Sequence, residues 1–518
     1  MLNTSVILAE SASEYPEKTA VISGPVRLTY RQLITKVNQL AGGLKDIGIR
    51  KGDMVLMACP NLVEFPIVYF AVLKIGAVLV PVNILSKESE LLFYLTDTGA
   101  KAFFCFEGTD KLPLGIEGRR AFEEADCCEH FIVIHCSSTA DVPHKSGMTI
   151  DDIMRDQRGE CETIITASDD TAVVLYTSGT TGKPRGAELT HQNLVTTAMN
   201  FRDSQQVTSE DVHLVALPLY HCYAQQAQMN CGFLAGSAIV LIERFDPDLV
   251  LETFEQESVT LFAGVPTMYW ALLNNTEVSK YDMGRIARTL RLGMSGGAAM
   301  PVELLQAVEK RFGITILEAY GVTETAAAGT LNRPNRRRKI GSIGIPHWGI
   351  RMRIVDETMR DVPAGEPGEL VVQGHCTMKG YYNQPEATAE AYRGGWLHTG
   401  DVAVRDEDGY FYIVDRLKDM IIRGGYNIYP REIEEKLMEH PDISLTTAIG
   451  VPDEQYGEQV KAYVVLNDGA TTTAEDIIAW SKERMANYKY PRAVEIVESL
   501  PTNATGKILK KELRKAQE

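Results

Sequence analysis

The segment of this sequence most able to do chemistry is residues 176–186, which follow an apolar run at 172–175. Its 11 residues include three glycines, four serine or threonine hydroxyls and Lys183. Glycines let backbone N–H groups turn toward an anion, hydroxyls add donors, and a lysine supplies positive charge. A Walker A loop is excluded because Thr177 stands in place of its first glycine and Pro184 follows the lysine. The segment therefore indicates a loop that binds phosphate.

Four more segments carry charged, aromatic or hydroxyl side chains, three of them together with a glycine: residues 318–325, 396–401, 415–419 and 501–507. In sequence letters they read EAYGVTET, WLHTGD, DRLKD and PTNATGK. Together with the first segment they resemble, in the same order, the motifs of the adenylate-forming superfamily. That superfamily includes acyl-CoA synthetases, firefly luciferase and the adenylation domains of peptide synthetases. The resemblance extends over nearly the whole chain, and within the superfamily the chain resembles bacterial fatty-acid–CoA ligases.

The resemblance implies an ATP-dependent acid–thiol ligase with Mg²⁺ as its metal and coenzyme A as the acyl acceptor. A carboxylate is a poor acyl donor, so the acid would first become an acyl-adenylate, an anhydride with a good leaving group. The residues implied at the β- and γ-phosphates are Thr177, Ser178, Gly179, Thr180, Thr181, Gly182 and Lys183. Those implied around the AMP part are Gly296, Gly297, Ala298, Glu318, Ala319, Tyr320, Gly321, Asp401 and Arg416. Among these, Tyr320 would stack on adenine and Asp401 would accept both ribose hydroxyls.

Three residues have catalytic roles implied by the resemblance. Thr323 would contact the α-phosphate, and Glu324 would hold Mg²⁺, a hard cation that prefers carboxylate oxygen. Lys507 would bridge the substrate carboxylate and the α-phosphate. Lys418 stands at the family's hinge, where rotation of the small domain would withdraw Lys507 after the first step. The same rotation would bring up a loop that lines a tunnel for the pantetheine arm of coenzyme A: Gly424 and Gly425.

The acyl pocket is expected around four residues: His221, Gly264, Val265 and Gly297. Amino-acid-activating relatives keep an aspartate near position 221, and this chain has Tyr-His-Cys at 220–222 instead. The apolar run 264–269, with no evident arginine for a second carboxylate, favours a neutral acid. We therefore expect a medium- or long-chain fatty acid as substrate. Chain length stays open because three glutamines add polarity near the expected pocket: Gln225, Gln226 and Gln228.

The sequence leaves several alternative functions open. A stand-alone ligase that loads an acyl carrier protein uses the same pantetheine chemistry, and an aryl-acid–CoA ligase uses the same reaction on another acid. A non-catalytic nucleotide-binding protein is a third alternative, which the intact Lys507, Glu324 and Asp401 disfavour. A luciferase-like oxidation also remains open.

The elements that must position these residues alternate between helix-like and strand-like runs over the first 160 residues. The pattern continues to about residue 262, as expected for an α/β fold with largely parallel sheets. Shorter β segments follow from about residue 342. We expect a large N-terminal domain at residues 1–416, with parallel α/β subdomains and a distorted β-barrel. A small C-terminal α+β domain would occupy residues 417–518, joined by a hinge in the charged run at 415–419.

Composition and net charge limit the kinds of binding partner and the cellular location that we expect. A length of 518 residues exceeds what one hydrophobic core usually serves. The net charge of −17 disfavours nucleic acid and anionic membrane surfaces as partners. Nine scattered cysteines without a CxxC pair, and no evident signal peptide, predict a cytoplasmic protein. The apolar stretch at 65–85 contains Lys74 and Gly76, so we expect a buried helix and strand rather than a membrane span. A homodimer is a further expectation.

Overall fold

The computed structural model describes residues 2–135, 148–177, 184–424 and 426–517. The α-helices are α1 (Val6–Glu14), α2 (Tyr30–Asp46), α3 (Glu64–Lys74), α4 (Glu88–Thr98), α5 (Leu114–Glu124), α6 (Ile150–Met154), α7 (His191–Gln205), α8 (Cys222–Ala224), α9 (Cys231–Ala235), α10 (Pro247–Gln256), α11 (Pro266–Leu273), α12 (Met283–Thr289), α13 (Val302–Phe312), α14 (Pro385–Ala391), α15 (Pro430–Met438), α16 (Ala474–Arg484) and α17 (Lys510–Lys515). A π-helix spans Gln225–Asn230, and 3₁₀ helices span Val278–Lys280, Thr323–Thr325 and Leu417–Asp419.

The strands are β1 (Thr19–Ser23), β2 (Val26–Thr29), β3 (Met54–Ala58), β4 (Val78–Pro81), β5 (Ala102–Phe106), β6 (His130–Ile134), β7 (Met148–Thr149), β8 (Thr171–Thr177), β9 (Arg185–Thr190), β10 (Val212–Val215), β11 (Ala238–Leu241), β12 (Leu261–Gly264), β13 (Leu292–Ser295), β14 (Ile316–Tyr320), β15 (Thr330–Leu331), β16 (Ile345–Pro346), β17 (Ile350–Val355), β18 (Gly368–Gly374), β19 (Gly380–Tyr381), β20 (Tyr392–Arg393), β21 (Trp396–Arg405), β22 (Phe411–Arg416), β23 (Ile421–Arg423), β24 (Tyr426–Ile428), β25 (Ile443–Asp453), β26 (Gly457–Leu466) and β27 (Ala493–Ile496).

Two largely parallel sheets form most of the protein. One has the strand order β19-β9-β8-β4-β3-β5-β6-β7, and the other has the order β16-β15-β14-β13-β12-β10-β11-β1-β2. The inner strands β4 and β5 are buried along their whole length, as expected where helices cover both faces of a parallel sheet. The expected α/β architecture is confirmed.

Five of the strands after residue 342 form a third sheet, which is antiparallel: β17, β18, β20, β21 and β22. Its order is β17-β18-β21-β20, with β22 paired to β21. This sheet lies where the sequence predicts a distorted β-barrel.

The C-terminal residues build a sheet of their own around a separate core. Its order is β24-β23-β26-β25, with β27 added in parallel to β26. Helices α15 and α16 contribute Ile433, Leu437 and Ile477 to that core. The 3₁₀ helix Leu417–Asp419 connects β22 of the third sheet to β23, so the separate C-terminal domain is confirmed, and its exact boundary at 416/417 stays a prediction.

The apolar stretch at 65–85 is a buried helix and strand, as expected. Helix α3 ends at Lys74, whose Nζ donates to Thr163 Oγ1 at 2.9 Å, and β4 begins at Val78. Within the part of the chain that the structure describes, no helix has the length and apolar character needed to cross a membrane.

Candidate active site

The site begins where three parallel strands end at the same edge. The register pairs Gly264 of β12 with Ser295 of β13, and Ser295 with Glu318 of β14. Parallel strands carry their following loops to one edge, and such edges are where α/β proteins bind ligands. Val265, Gly297 and the residues after Tyr320 are therefore brought side by side, although each belongs to a different motif.

A cavity of about 250 Å³ opens at this edge, between the large domain and the C-terminal domain. Eight of the residues predicted for the site line it: Gly297, Ala298, Glu318, Ala319, Tyr320, Gly321, Asp401 and Arg416. The C-terminal domain closes it with Lys507. The fold thus brings four separate sequence segments and the predicted catalytic lysine to one cavity.

Asp401 has two side-chain partners within the cavity. The residue is 4% exposed, its Oδ2 accepts a hydrogen bond from the Tyr320 hydroxyl at 2.6 Å, and its Oδ1 lies 3.2 Å from Arg416 Nε. Strands β21 and β22 pair Asp401 directly with Arg416, which explains the short distance. Each carboxylate oxygen keeps a further lone pair, so the group can still accept hydrogen bonds from a ligand's hydroxyls.

The loop that carries Lys507 is shaped by Asn503 and docked by Thr267. Asn503 Oδ1 accepts hydrogen bonds from the backbone N–H groups of Thr505, at 3.0 Å, and Lys507, at 2.8 Å. From the large domain, the Thr267 hydroxyl donates to the carbonyl of Gly506 at 2.8 Å. A Cβ on Gly506 would lie 2.7 Å from Thr267 Oγ1 and 2.9 Å from a methyl of Val265, so the close approach requires glycine.

The ammonium of Lys507 has no ion-pair partner among the residues that the structure describes. Burial lowers its pKa to about 8, with the nearby positive charge of Arg416 adding to the effect. A half-buried cation without a carboxylate partner is costly in the free protein. It is suited to a site where an anionic ligand supplies the missing charge.

His221 lies near Lys507 and is neutral at pH 7. Burial lowers its pKa to about 4, and the charge of Lys507 acts in the same direction. The backbone N–H of Tyr223 donates to His221 Nδ1 at 3.2 Å, so in the neutral ring Nε2 carries the hydrogen. The imidazole can therefore donate a hydrogen bond but is a weak base, and its place at the acyl pocket stays a prediction.

Glu324 could hold a divalent cation. Its Oε1 accepts a hydrogen bond from the Tyr381 hydroxyl at 2.9 Å, which orients the carboxylate. Across the described ranges, no three His, Cys, Asp or Glu side chains gather into a metal site. A single oriented carboxylate fits Mg²⁺, which is usually bound through one or two carboxylates plus substrate phosphates and water. Next to it, Thr323 Oγ1 accepts from Cys222 Sγ at 3.8 Å, which ties the Thr323–Thr325 helix to α8.

The glycines of the expected pocket differ in what surrounds them. Gly297 has φ +76° and room for a Cβ, whose nearest neighbour would be Val265 at 3.5 Å. A Cβ on Gly296 would contact the ring of Tyr223 at 3.1 Å, and one on Gly264 would contact the rings of Phe262 and Tyr269. Gly297 therefore faces open space, whereas Gly296 and Gly264 face side chains that pack the interior.

Several predicted residues lie away from the cavity or outside the described residues. Lys418 lies in the Leu417–Asp419 helix, where burial lowers its pKa. Gly424 is exposed at the β23–β24 turn. Thr177 ends β8, opposite Arg185 of β9. The remaining predicted residues fall outside the described ranges: Ser178, Gly179, Thr180, Thr181, Gly182, Lys183 and Gly425.

The cavity also contains residues that sequence analysis did not select. Lys510 Nζ lies 2.8 Å from Glu434 Oε1, and both line the cavity wall. The backbone N–H of Arg431 donates to Asp415 Oδ2 at 2.9 Å, and its guanidinium donates to the carbonyl of Ile413. These contacts join the C-terminal domain to β22. No motif marks Arg431, Glu434 or Lys510, because their importance depends on how the two domains dock.

Comparison with known proteins agrees with this geometry. The family model described as AMP-binding enzyme matches residues 8–382, and the AMP-binding enzyme C-terminal domain matches residues 432–507. A feruloyl-CoA synthase from an Amycolatopsis species is 38% identical over 509 residues, covering 96% of each chain. A long-chain-fatty-acid–CoA ligase from Bacillus subtilis is 36% identical over 525 residues, covering 98% of this chain and 93% of that protein. The crystal structure of the anthranilate CoA ligase AuaEII in complex with anthranoyl-AMP superposes with a TM-score of 0.91 at 29% identity, covering 100% and 97%.

Proposed function

The chain belongs to the AMP-binding enzyme family, and from that premise we propose that it joins a medium- or long-chain fatty acid to coenzyme A. It is an ATP-dependent acid–thiol ligase of the acyl- and aryl-CoA ligase type. The observation that carries the residue-level proposal is the position of Lys507. It is a half-buried cation without an ion-pair partner in the described structure, and it lines the cavity that contains Asp401.

In the first step, an oxygen of the acid's carboxylate attacks the α-phosphorus of ATP, and the bond to the β-phosphate oxygen breaks to release pyrophosphate. Negative charge grows between carboxylate and α-phosphate, where the Lys507 ammonium stabilises the transition state. Asp401 holds the ribose through its remaining lone pairs. Mg²⁺ held by Glu324 would neutralise phosphate charge.

In the second step, the thiolate of coenzyme A attacks the acyl carbon, and AMP leaves. Lys507 lines the cavity in the present arrangement, and the thiol is proposed to reach the acyl carbon from that side. We propose that rotation at Lys418 withdraws the Lys507 loop and brings Gly424 and Gly425 to the thiol's path. The exposed position of Gly424 in the present arrangement is compatible with such an exchange.

The acid is proposed to be hydrophobic because Gly297 and Lys507 line the same cavity, and the neighbour nearest to a Cβ on Gly297 is the apolar side chain of Val265. The Bacillus subtilis relative, a long-chain-fatty-acid–CoA ligase, supports a fatty acid. An aryl acid is a second candidate, favoured by the greater identity to a feruloyl-CoA synthase and by the likeness to an anthranilate CoA ligase. A cytoplasmic location and a homodimer stay predictions.

The test is pyrophosphate release measured over a panel of acids, with and without coenzyme A. The panel includes acetate, octanoate, palmitate, benzoate and ferulate, and holo-acyl carrier protein replaces coenzyme A in a parallel series. We expect release that requires an acid, with thioester formed on coenzyme A and the highest kcat/KM for octanoate or palmitate. Highest activity on ferulate or benzoate would select the aryl candidate, and thioester on carrier protein alone would reject coenzyme A as acceptor.

A further inference from the structure

Tyr381 contacts two oppositely charged side chains from different parts of the chain, and it has no role in the reaction described above. Its hydroxyl donates to Glu324 Oε1 at 2.9 Å. The guanidinium carbon of Arg185 lies over its ring, 5.4 Å from the centroid, which is within the range of a cation–π contact. Tyr381 therefore lies between the carboxylate proposed to hold Mg²⁺ and a cation that closely follows Lys183 in the sequence.

Backbone hydrogen bonds on both sides hold the segment that carries Tyr381. Strand β19 pairs antiparallel with β9, and the N–H of Tyr382 donates to the carbonyl of Gly186 at 2.7 Å. On the other side, the N–H of Met378 donates to the carbonyl of Glu324 at 2.8 Å. The backbone therefore places the phenol ring between the start of β9 and the helix that contains Glu324.

The two charged groups that contact Tyr381 are not paired with each other. Within the described residues, Glu324 has no ion-pair partner, and that of Arg185 is Glu390 at 3.7 Å, whose side chain is 74% exposed. An ion pair so open to water contributes little. Where nothing separates them, a guanidinium and a carboxylate frequently form two parallel hydrogen bonds. Such a pair would occupy both oxygens of Glu324 and leave neither for a cation.

The contact from Tyr381 leaves the charge of Glu324 available. The hydroxyl is neutral and uses one lone pair of Oε1, whereas Oε2 has no hydrogen-bond donor among the residues that the structure describes. Carboxylates that bind metals in proteins are in turn hydrogen-bonded in this way, which orients them. A phenylalanine would fill the same space and keep a ring beside Arg185, so packing does not account for the hydroxyl.

We propose that Tyr381 is a positioning residue for the metal-bound nucleotide: its hydroxyl orients Glu324 for Mg²⁺, and its ring keeps Arg185 from pairing with that carboxylate. The inference rests on the proposed adenylation reaction and on the proposed role of Glu324. Tyr381 belongs neither to the five motifs nor to the lining of the main cavity, because its effect depends on two contacts made across the fold.

The test measures how strongly Mg²⁺ enhances nucleotide binding. Isothermal titration calorimetry gives the Kd of α,β-methylene-ATP, an analogue that cannot release pyrophosphate, in excess Mg²⁺ and in EDTA. The ratio of the EDTA value to the Mg²⁺ value reports the coupling between metal and nucleotide. Partners that orient a metal ligand typically contribute about 10–100-fold to metal affinity. Because the nucleotide phosphates also bind the cation, we expect Tyr381→Phe to lower the ratio by about threefold to tenfold, with the Kd in EDTA unchanged.

Tyr382→Phe is the matched control, because it removes the phenol hydroxyl of the neighbouring residue. That hydroxyl donates to the carbonyl of Thr98 at 3.5 Å, so the variant should keep the wild-type ratio. Glu324→Gln should lower the ratio by itself. Adding Tyr381→Phe to Glu324→Gln should cause no further loss, since both changes act on the same carboxylate.

Tyr381→Leu tests the ring. Without the ring, Arg185 can pair with Glu324, so the ratio should fall below that of Tyr381→Phe. Adding Arg185→Gln to Tyr381→Leu should raise the ratio again, because it removes the cation that competes with Mg²⁺. No recovery in this double variant would overturn the role of the ring.

A wild-type ratio in Tyr381→Phe would overturn the inference, as would equal losses in Tyr381→Phe and Tyr382→Phe. No loss in Glu324→Gln would also overturn it, because Tyr381 would then orient a carboxylate that does not bind the metal. These results leave the ligase function standing if the wild-type enzyme releases pyrophosphate when an acid is supplied. Absence of that release with every acid would reject the proposed function itself.

Discussion

Lys507 and Lys510 lie three residues apart at the same domain interface, yet their surroundings are opposite. Lys510 pairs with Glu434 at 2.8 Å, and the carboxylates of Glu434 and Asp415 outweigh burial and raise its pKa. Lys507 has no such partner among the described residues, and burial lowers its pKa to about 8. The two lysines therefore have different roles. The positive charge of Lys510 is balanced by Glu434 and helps to dock the C-terminal domain, whereas the positive charge of Lys507 is available to the negative charge of the substrates.

The largest effect is expected from Lys507→Ala. Removing a fixed charge that stabilises a transition state costs about 10²–10³ in rate, so pyrophosphate release should fall by that factor. Conversion of supplied acyl-adenylate to acyl-CoA should persist, because the lysine is withdrawn in that step. Lys510→Ala is the matched control, with a loss of adenylation of about tenfold or less. Equal losses of adenylation in the two variants would contradict the proposed difference in role between Lys507 and Lys510.

The complementary variant is Lys418→Pro. Proline restricts φ at the proposed hinge, so we expect it to block rotation while leaving the present, Lys507-closed arrangement intact. Thioester formation from supplied acyl-adenylate should then be lost, with adenylation retained. Single-turnover measurements of the two half-reactions separate these outcomes, and retention of both would remove Lys418 as the hinge.

The pH dependence of adenylation tests the lowered pKa that distinguishes Lys507 from Lys510. If adenylation requires the protonated Lys507, kcat/KM should fall about tenfold per pH unit above pH 8, since kcat/KM reports ionisation in the free enzyme. The fall occurs on the alkaline side because the active form is the charged one, and it begins well below the usual lysine pKa of 10.5. Lys507→Arg keeps its charge at higher pH, so any residual activity in that variant should lack the decline.

Asp401→Ala should reduce the efficiency of ATP use by at least about tenfold, because hydrogen bonds to a charged group each contribute about 1.5–3 kcal/mol. The variant also leaves Arg416 without its partner beside Lys507, which should lower the pKa of the lysine further. We expect the KM for ATP to rise and the alkaline decline to move to lower pH. An unchanged KM and turnover would remove Asp401 from the nucleotide site.

The smallest effect is expected from Thr267→Val, which removes the hydroxyl that holds the Gly506 carbonyl. A single neutral hydrogen bond contributes about 0.5–1.5 kcal/mol, so adenylation should fall by a factor of about two to ten. Thr267→Ser should restore the rate because it keeps the hydroxyl. Thioester formation should be unaffected in both variants, and a parallel loss of that step would show that Thr267 supports the fold instead of docking the loop.

Much of the fold follows from local sequence signals. Strand β5 coincides with the apolar run at residues 102–106, and helix α2 begins where Thr29 and Gln32 form a capping box. The charged run at 415–419 contains the 3₁₀ helix Leu417–Asp419, which leads into the C-terminal sheet, while the exact domain boundary stays a prediction. These features depend on neighbours a few residues apart, so the order of residues is enough to specify them.

The motifs also predict several of the residues that line the cavity. Residues that follow neighbouring parallel strands lie at the same edge of the sheet, so motifs far apart in sequence come together there. Asp401, Tyr320 and Arg416 were all expected at the site, but their direct contacts to one another were not. The sequence does not distinguish Gly264 from Gly297. In the structure Gly264 packs against aromatic rings, whereas Gly297 faces open space.

By itself, the sequence determined the family, the α/β architecture and the identity of the residues available for chemistry, since these depend on short-range patterns that repeat in order along the chain. Only the tertiary structure decided that Lys507 lacks an ion-pair partner within the described chain while Lys510 is paired, and that Tyr381 contacts both Glu324 and Arg185. Those properties depend on burial and on distances between residues far apart in the chain. Charge interactions and desolvation act through space, so they are settled only when the two domains and the sheet edges come together.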